Sequence, residues 1–114
     1  MDNILQVTLL YDFYGELLTV RQKNIFELYY QYDLTLAEIA KECNISPQAV
    51  SDSLKRTQNI LYKYEVKLQC LDKYIKLNNK IQNIISEIDD MFIYVKNKEK
   101  LISIKNQLND ILNV

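Results

Sequence analysis

A chain of 114 residues with one glycine and one proline has little means of making turns. Hairpins and meanders draw on glycine, proline and left-handed positions at most connections. Helix interiors need neither residue and are weakened by both. Leu, Ile, Lys, Glu, Gln and Asn dominate the rest of the chain, and apolar side chains recur every three or four positions. The expected fold is therefore all-α. The length suits one domain, and the 48% hydrophobic content can fill a core.

The spacing predicts a first helix over residues 4–18, in which Ile4, Leu9 or Leu10, Phe13 and Leu17 recur at helical spacing and the aromatic group Tyr11, Phe13 and Tyr14 forms core and its rim. Thr19 followed by Gln22 has the form of a capping box, in which hydroxyl and amide satisfy each other's backbone donors. It opens a second helix over 20–32 with an apolar stripe of Ile25, Leu28, Tyr29 and Tyr32. Thr35 and Glu38 repeat the signature and open a short third helix over 36–43, with Ile39 and Ala40 inward. Asn44 then stands where a sharp turn needs a positive φ, a position asparagine tolerates when glycine is absent. Ile45 plugs the core. Ser46 and Pro47 pair a good N-cap with the residue favoured at the first helical position. Val50 and Leu54 face inward on the helix they start.

That helix shows no stop signal for a long way. Leu54, Leu61, Tyr64, Leu68, Leu71 and Ile75 keep a heptad-like spacing, and a small domain cannot bury so long a seam alone. Leu61, Tyr64, Leu68, Leu71 and Ile75 are the expected seam for a homodimer or a protein partner. The pattern weakens at 76–80, "KLNNK", where a break is expected. Two more helices follow, one with Ile81, Ile84, Ile85, Ile88, Met91, Phe92 and Val95, the other with Leu101, Ile104, Leu108, Ile111 and Leu112. The chain divides on this reading into a head, residues 1–66, and a helical extension, 67–114, that ends in a helical hairpin.

"TLAEIAKECNISPQAVSDSLKRT", about residues 35–57, has the form of a helix-turn-helix motif. In such motifs the start of the second helix enters the major groove of DNA while the first helix crosses the backbone. Gln48, Ser51 and Lys55 then fall near base edges. Arg56 and Lys41 fall near phosphate, and Asp52 could accept a hydrogen bond from cytosine.

Charge limits that reading. Residues 1–66 carry six cations against nine carboxylates, and the whole chain has a net charge of −1. Phosphate contacts supply most non-specific affinity for DNA, so a single head should grip it weakly and a dimer better. The opposite function class, a protein-interaction adaptor with a structural head, stays open. Its contact surface would be the extension, which carries eight lysines against six carboxylates.

Catalysis is not expected. The chain has no histidine and no glycine-rich phosphate loop, and Cys43 and Cys70 are far apart with no CxxC spacing. No cofactor or metal is implied. The start of the chain lacks a basic region before its apolar residues, and no apolar run reaches membrane-spanning length. A cytoplasmic protein with no membrane insertion is expected.

"LLTVRQKNIFELYYQYDLTLAEIAKECNIS" resembles the C-terminal helix-turn-helix region of bacterial sigma factors over about a third of the chain. "LYDFYGELLT", "ELYYQYDLTLAEIA" and "ISPQAVSDSLKRTQNILYKYEVKL" more closely resemble the small bacterial YlxM-like family of helix-turn-helix proteins, over roughly residues 9–69. The resemblance implies DNA binding through the motif and a regulatory role tied to the signal recognition particle pathway, with the particle's protein or RNA as a possible partner. The chain departs from the family's pattern at Pro47, where the family carries Arg, and at Ser51, Asp52 and Ser53, where it carries an aromatic-Asp-Asn run.

Overall fold

The computed structural model describes residues 4–113, and every regular element among them is helical. They are α1 (Ile4–Tyr14), a 3-10 turn (Gly15–Leu17), α2 (Val20–Tyr30), α3 (Leu36–Cys43), α4 (Pro47–Leu68), α5 (Cys70–Met91), a second 3-10 turn (Phe92–Tyr94) and α6 (Lys98–Leu112). The expected division after residue 66 falls inside α4. Two compact units form instead, Met1–Leu71 and Asp72–Val114.

The first unit has two adjoining cores. One gathers Val7, Leu10, Tyr11, Tyr14, Leu18, Phe26, Leu61 and Leu71. The other gathers Ile25, Ile39, Ala40, Val50 and Leu54 and holds the helix-turn-helix together. Phe26 lies between two tyrosines, with the Tyr11 ring stacked at 4.2 Å and the Tyr30 ring tilted at 4.5 Å.

The face of α1 keeps the expected aromatic core but turns the ends of the expected stripe outward. Val7, Leu10, Tyr11 and Tyr14 are buried, while Ile4, Phe13 and Leu17 are exposed. The tyrosines win because each hydroxyl finds a partner inside, Tyr11 donating to Glu27 and Tyr14 to Glu65. The helix also tightens at Gly15, before the expected end. The Tyr11 ring lies so close that a β-carbon at Gly15 would stand 3.1 Å from it. On α2 the core residues are Ile25 and Phe26, whereas Tyr29 and Tyr32 are exposed. That helix stops at Tyr30, because the Tyr32 and Leu34 amides fold back to the Glu27 and Leu28 carbonyls around Asp33 at φ 56°.

The expected break at 76–80 is absent, and α5 runs through it. The chain breaks instead at Gln69, which adopts a left-handed conformation at φ 56° and ψ 30°. A helix start leaves backbone donors without partners. Here the Cys70 amide donates to the Tyr14 hydroxyl at 3.0 Å, and the Leu71 amide donates to Glu65 Oε1 at 3.0 Å. Tyr14 in turn donates to the same Glu65 oxygen at 2.6 Å. One carboxylate and one phenol, drawn from two helices, thus cap a third.

Burial, then hydrogen bonding to Glu65, pushes the Tyr14 phenol well above its usual range, and burial and Glu27 do the same for Tyr11. Both ionise near pH 10 when unfolded. The stability they carry is therefore complete below that pH and is lost as pH rises above it. The denaturation midpoint of the full chain is expected to fall as pH rises past roughly 10, and to fall less in Tyr14→Phe. A flat midpoint in both proteins would contradict the arrangement.

In the second unit Ile81 and Ile88 of α5 are buried. Lys105 of α6 pairs with Asp89 of α5 at 2.6 Å. The Asn97 side chain caps α6 by accepting from the Lys100 amide at 3.2 Å.

Candidate nucleic-acid interface

The turn between α3 and α4 is built entirely from local chemistry. Thr35 Oγ1 accepts from the Glu38 amide at 3.1 Å, and the Thr35 amide donates to Glu38 Oε1 at 2.9 Å. That bond holds the Glu38 carboxyl below its usual range. At the other end Asn44 is left-handed, with φ 57° and ψ 47°. The Ile45 amide reaches the Ala40 carbonyl at 3.0 Å and the Asn44 amide approaches that of Lys41 at 3.4 Å, the pairing of a Schellman turn. Ser46 Oγ then accepts from the Ala49 amide at 3.0 Å, and Pro47 takes the first position of α4.

Ile39 and Ala40 of α3 meet Val50 and Leu54 of α4 in the core beneath this turn. Small Ala40 lets the helices approach closely. The same packing fixes which side of α4 faces out. Gln48, Asp52, Lys55 and Arg56 are exposed at its start, Ser51 is half-buried, and Lys41 is exposed on α3. Ser46→Ala is expected to cost about 1 kcal/mol, the usual value of an N-cap. A urea midpoint equal to the parent's would show that the cap contributes nothing.

The sequence allows Asp52 to pair with Arg56 four residues on. The structure pairs it backwards, with Gln48 Nε2 donating to Asp52 Oδ1 at 3.0 Å. Lys41, Lys55 and Arg56 make no ion pair among the described residues. Three cations around the motif are therefore available to phosphate, while its central carboxylate is held by a neutral amide.

Tyr30, Asp33 and Gln58, which the sequence did not assign to the motif, join this surface. An open cleft of about 770 Å³ is lined by Tyr29, Tyr30, Asp33, Thr35, Ser51, Lys55 and Gln58, among others. Gln58 donates to the Tyr30 hydroxyl across it at 2.5 Å. Residue spacing along α4 points to Gln58 two turns beyond Ser51, but Asp33 arrives through the α2–α3 connection, which no local pattern predicts.

The residues of the expected seam are divided. Leu61 and Leu71 lie in the core of the first unit, and Tyr64 packs against it with its ring 5.9 Å from that of Tyr14. Leu68 and Ile75 are exposed. The break at Gln69 separates the stripe, so it is not one continuous helical seam.

No described helix is long and apolar enough to cross a membrane. Among the described residues no group of three or more His, Cys, Asp or Glu side chains could hold a metal ion.

A family model described as "Putative helix-turn-helix protein, YlxM / p13 like" (UPF0122) matches residues 1–108. Among similar proteins, a UPF0122 protein of Clostridium kluyveri is 41% identical over 108 residues, covering 95% of this chain and 96% of the relative. The UPF0122 protein YofM of Lactococcus lactis is 43% identical over 91 residues, covering 79% and 82%. That of Caldanaerobacter subterraneus is 48% identical over 83 residues, covering 73% and 71%.

Proposed function

The chain belongs to the UPF0122 family of YlxM/p13-like helix-turn-helix proteins, and on that footing we propose that it is a DNA-binding regulator of transcription, acting in the cytoplasm as a homodimer. The observation that supports this most is the start of α4. The Asn44 turn and the Ser46–Pro47 start leave the first turns of that helix exposed, with Lys55 and Arg56 in no ion pair among the described residues beside Gln48 and Ser51. In the major groove, Gln48 and Ser51 would read base edges. Lys55 would reach a base or phosphate, and Arg56 and Lys41 would hold phosphate. The tie between Gln48 and Asp52 orients the Gln48 amide before DNA arrives.

The same tie makes a specific prediction. Asp52→Asn keeps an acceptor for Gln48 and removes a charge that repels phosphate. It is expected to raise affinity for random duplex roughly three- to tenfold at low salt, and less at high salt. Unchanged affinity would place Asp52 away from the DNA.

A second reading rests on charge. With nine carboxylates against six cations in residues 1–66, the head is a weak electrostatic match to DNA. An adaptor of the signal recognition particle pathway, contacting its protein or RNA through the lysine-bearing extension, fits that balance. Competition between labelled genomic fragments and small cellular RNAs, at low and physiological salt, separates the two. Recovery of fragments sharing a two-fold site at the higher salt supports the DNA regulator. Retention of RNA alone, or of neither, overturns it.

A further inference from the structure

The second unit leaves a regular apolar stripe uncovered. Along α5, Leu77, Ile84 and Met91 recur every seven residues and are 53%, 43% and 53% exposed. Seven residues are close to two helical turns, so the three lie on one line about 21 Å long. Ile81 and Ile88, on the adjoining line, are already buried. A single surface leucine needs no explanation, but three in heptad register on one helix mark a contact face.

Charge along the helix says what fits it. Lys73, Lys76 and Lys80 occupy the first half of α5, while Glu87, Asp89 and Asp90 occupy its last turns, with no basic residue in the final one. The helix dipole disfavours carboxylates at that end. Asp89 is offset by Lys105, and Lys76 by Asp72. Lys80 and Glu87 have no ion-pair partner among the described residues. Each stands three residues beyond a member of the stripe, Leu77 and Ile84, and so lies on the same flank of it.

We propose that this face binds a second copy of the chain, α5 against α5 and antiparallel, about a two-fold axis at Ile84. Such an axis sets Ile84 against the second copy's Ile84 and Leu77 against the second copy's Met91. It also brings Lys80 beside the second copy's Glu87, twice, as an isologous interface requires. A parallel pairing would place lysines against lysines and carboxylates against carboxylates. The antiparallel one opposes the two dipoles and matches the charges. The interface lies on α5 rather than on the seam from Leu61 to Ile75, and it holds whether or not α4 reads DNA.

Sedimentation equilibrium of the full chain tests this. A concentration-dependent dimer is expected, with Ile84→Asp monomeric at an unchanged helical circular-dichroism signal. Lys80→Glu is expected to weaken the dimer roughly tenfold or more, and adding Glu87→Lys to restore it to within about threefold, because both symmetric pairs invert together. In a Cys43→Ser, Cys70→Ser background, Ile84→Cys should cross-link to a dimer under mild oxidation, which reads the axis directly. A chain that stays monomeric, or a dimer indifferent to Ile84→Asp and to the charge exchange, overturns the proposal.

Discussion

Lys55→Glu combined with Arg56→Glu is expected to lower affinity for a retained genomic fragment by roughly 10²–10³-fold, since each good contact to base or phosphate is worth about 1–3 kcal/mol. Both side chains are exposed and unpaired, so reversing them breaks no ion pair among the described residues. The double variant leaves residues 1–66 with four cations against eleven carboxylates. Its circular dichroism and denaturation midpoint should match the parent's, because neither side chain enters the core. The loss should also shrink as salt rises, since part of it comes from counterion release. Fluorescence anisotropy across a salt series measures both. A change smaller than about threefold would mean that the start of α4 does not face DNA.

Phe26→Ala is expected to cost about 3–5 kcal/mol, the usual range for emptying a buried aromatic site. Phe26 is fully buried between the rings of Tyr11 and Tyr30. Those tyrosines are tied by their hydroxyls to Glu27 and Gln58 and cannot readily collapse into the space. Against a typical total of about 5–15 kcal/mol, such a loss leaves the first unit marginal. Phe13→Ala is the control. The residue is 40% exposed, and removal of its ring should cost under about 1 kcal/mol. Equal losses from the two changes would return Phe13 to the core and contradict the observed face of α1.

What the sequence made legible follows the range of the interactions. The capping boxes at Thr19 and Thr35, the left-handed Asn44 and the Ser46–Pro47 start all form as expected. Each is complete within a few residues, so its chemistry can be read along the chain. Because that start fixes the phase of α4, the outward set Gln48, Ser51, Asp52 and Lys55 was legible too, except that Ser51 is half-buried. The break at Gln69 was not. The groups that cap α5 are Glu65 and the Tyr14 hydroxyl, and Tyr14 lies 56 residues from the Cys70 amide it accepts from. "KLNNK" misled for the opposite reason, since asparagine weakens a helix without ending one. On α1, the aromatic group was legible as core and rim, and Tyr11 and Tyr14 are buried with Phe13 at the rim. The helical spacing that also picked out Ile4 and Leu17 could not register that Glu27 and Glu65 would satisfy the phenols inside. At the motif, Arg56 stood one turn from Asp52 as an ion-pair partner, and the structure takes Gln48 instead.

Entry of α4 into the major groove from Pro47 to Arg56 can be read by dimethyl sulfate interference on a fragment retained at physiological salt. The reagent methylates guanine N7 in the major groove and adenine N3 in the minor groove, so one experiment reports on both. N7 methylation is expected to block binding in two clusters, symmetric about a centre, while N3 methylation is not. Interference at adenine N3 alone, or at no base, would contradict it.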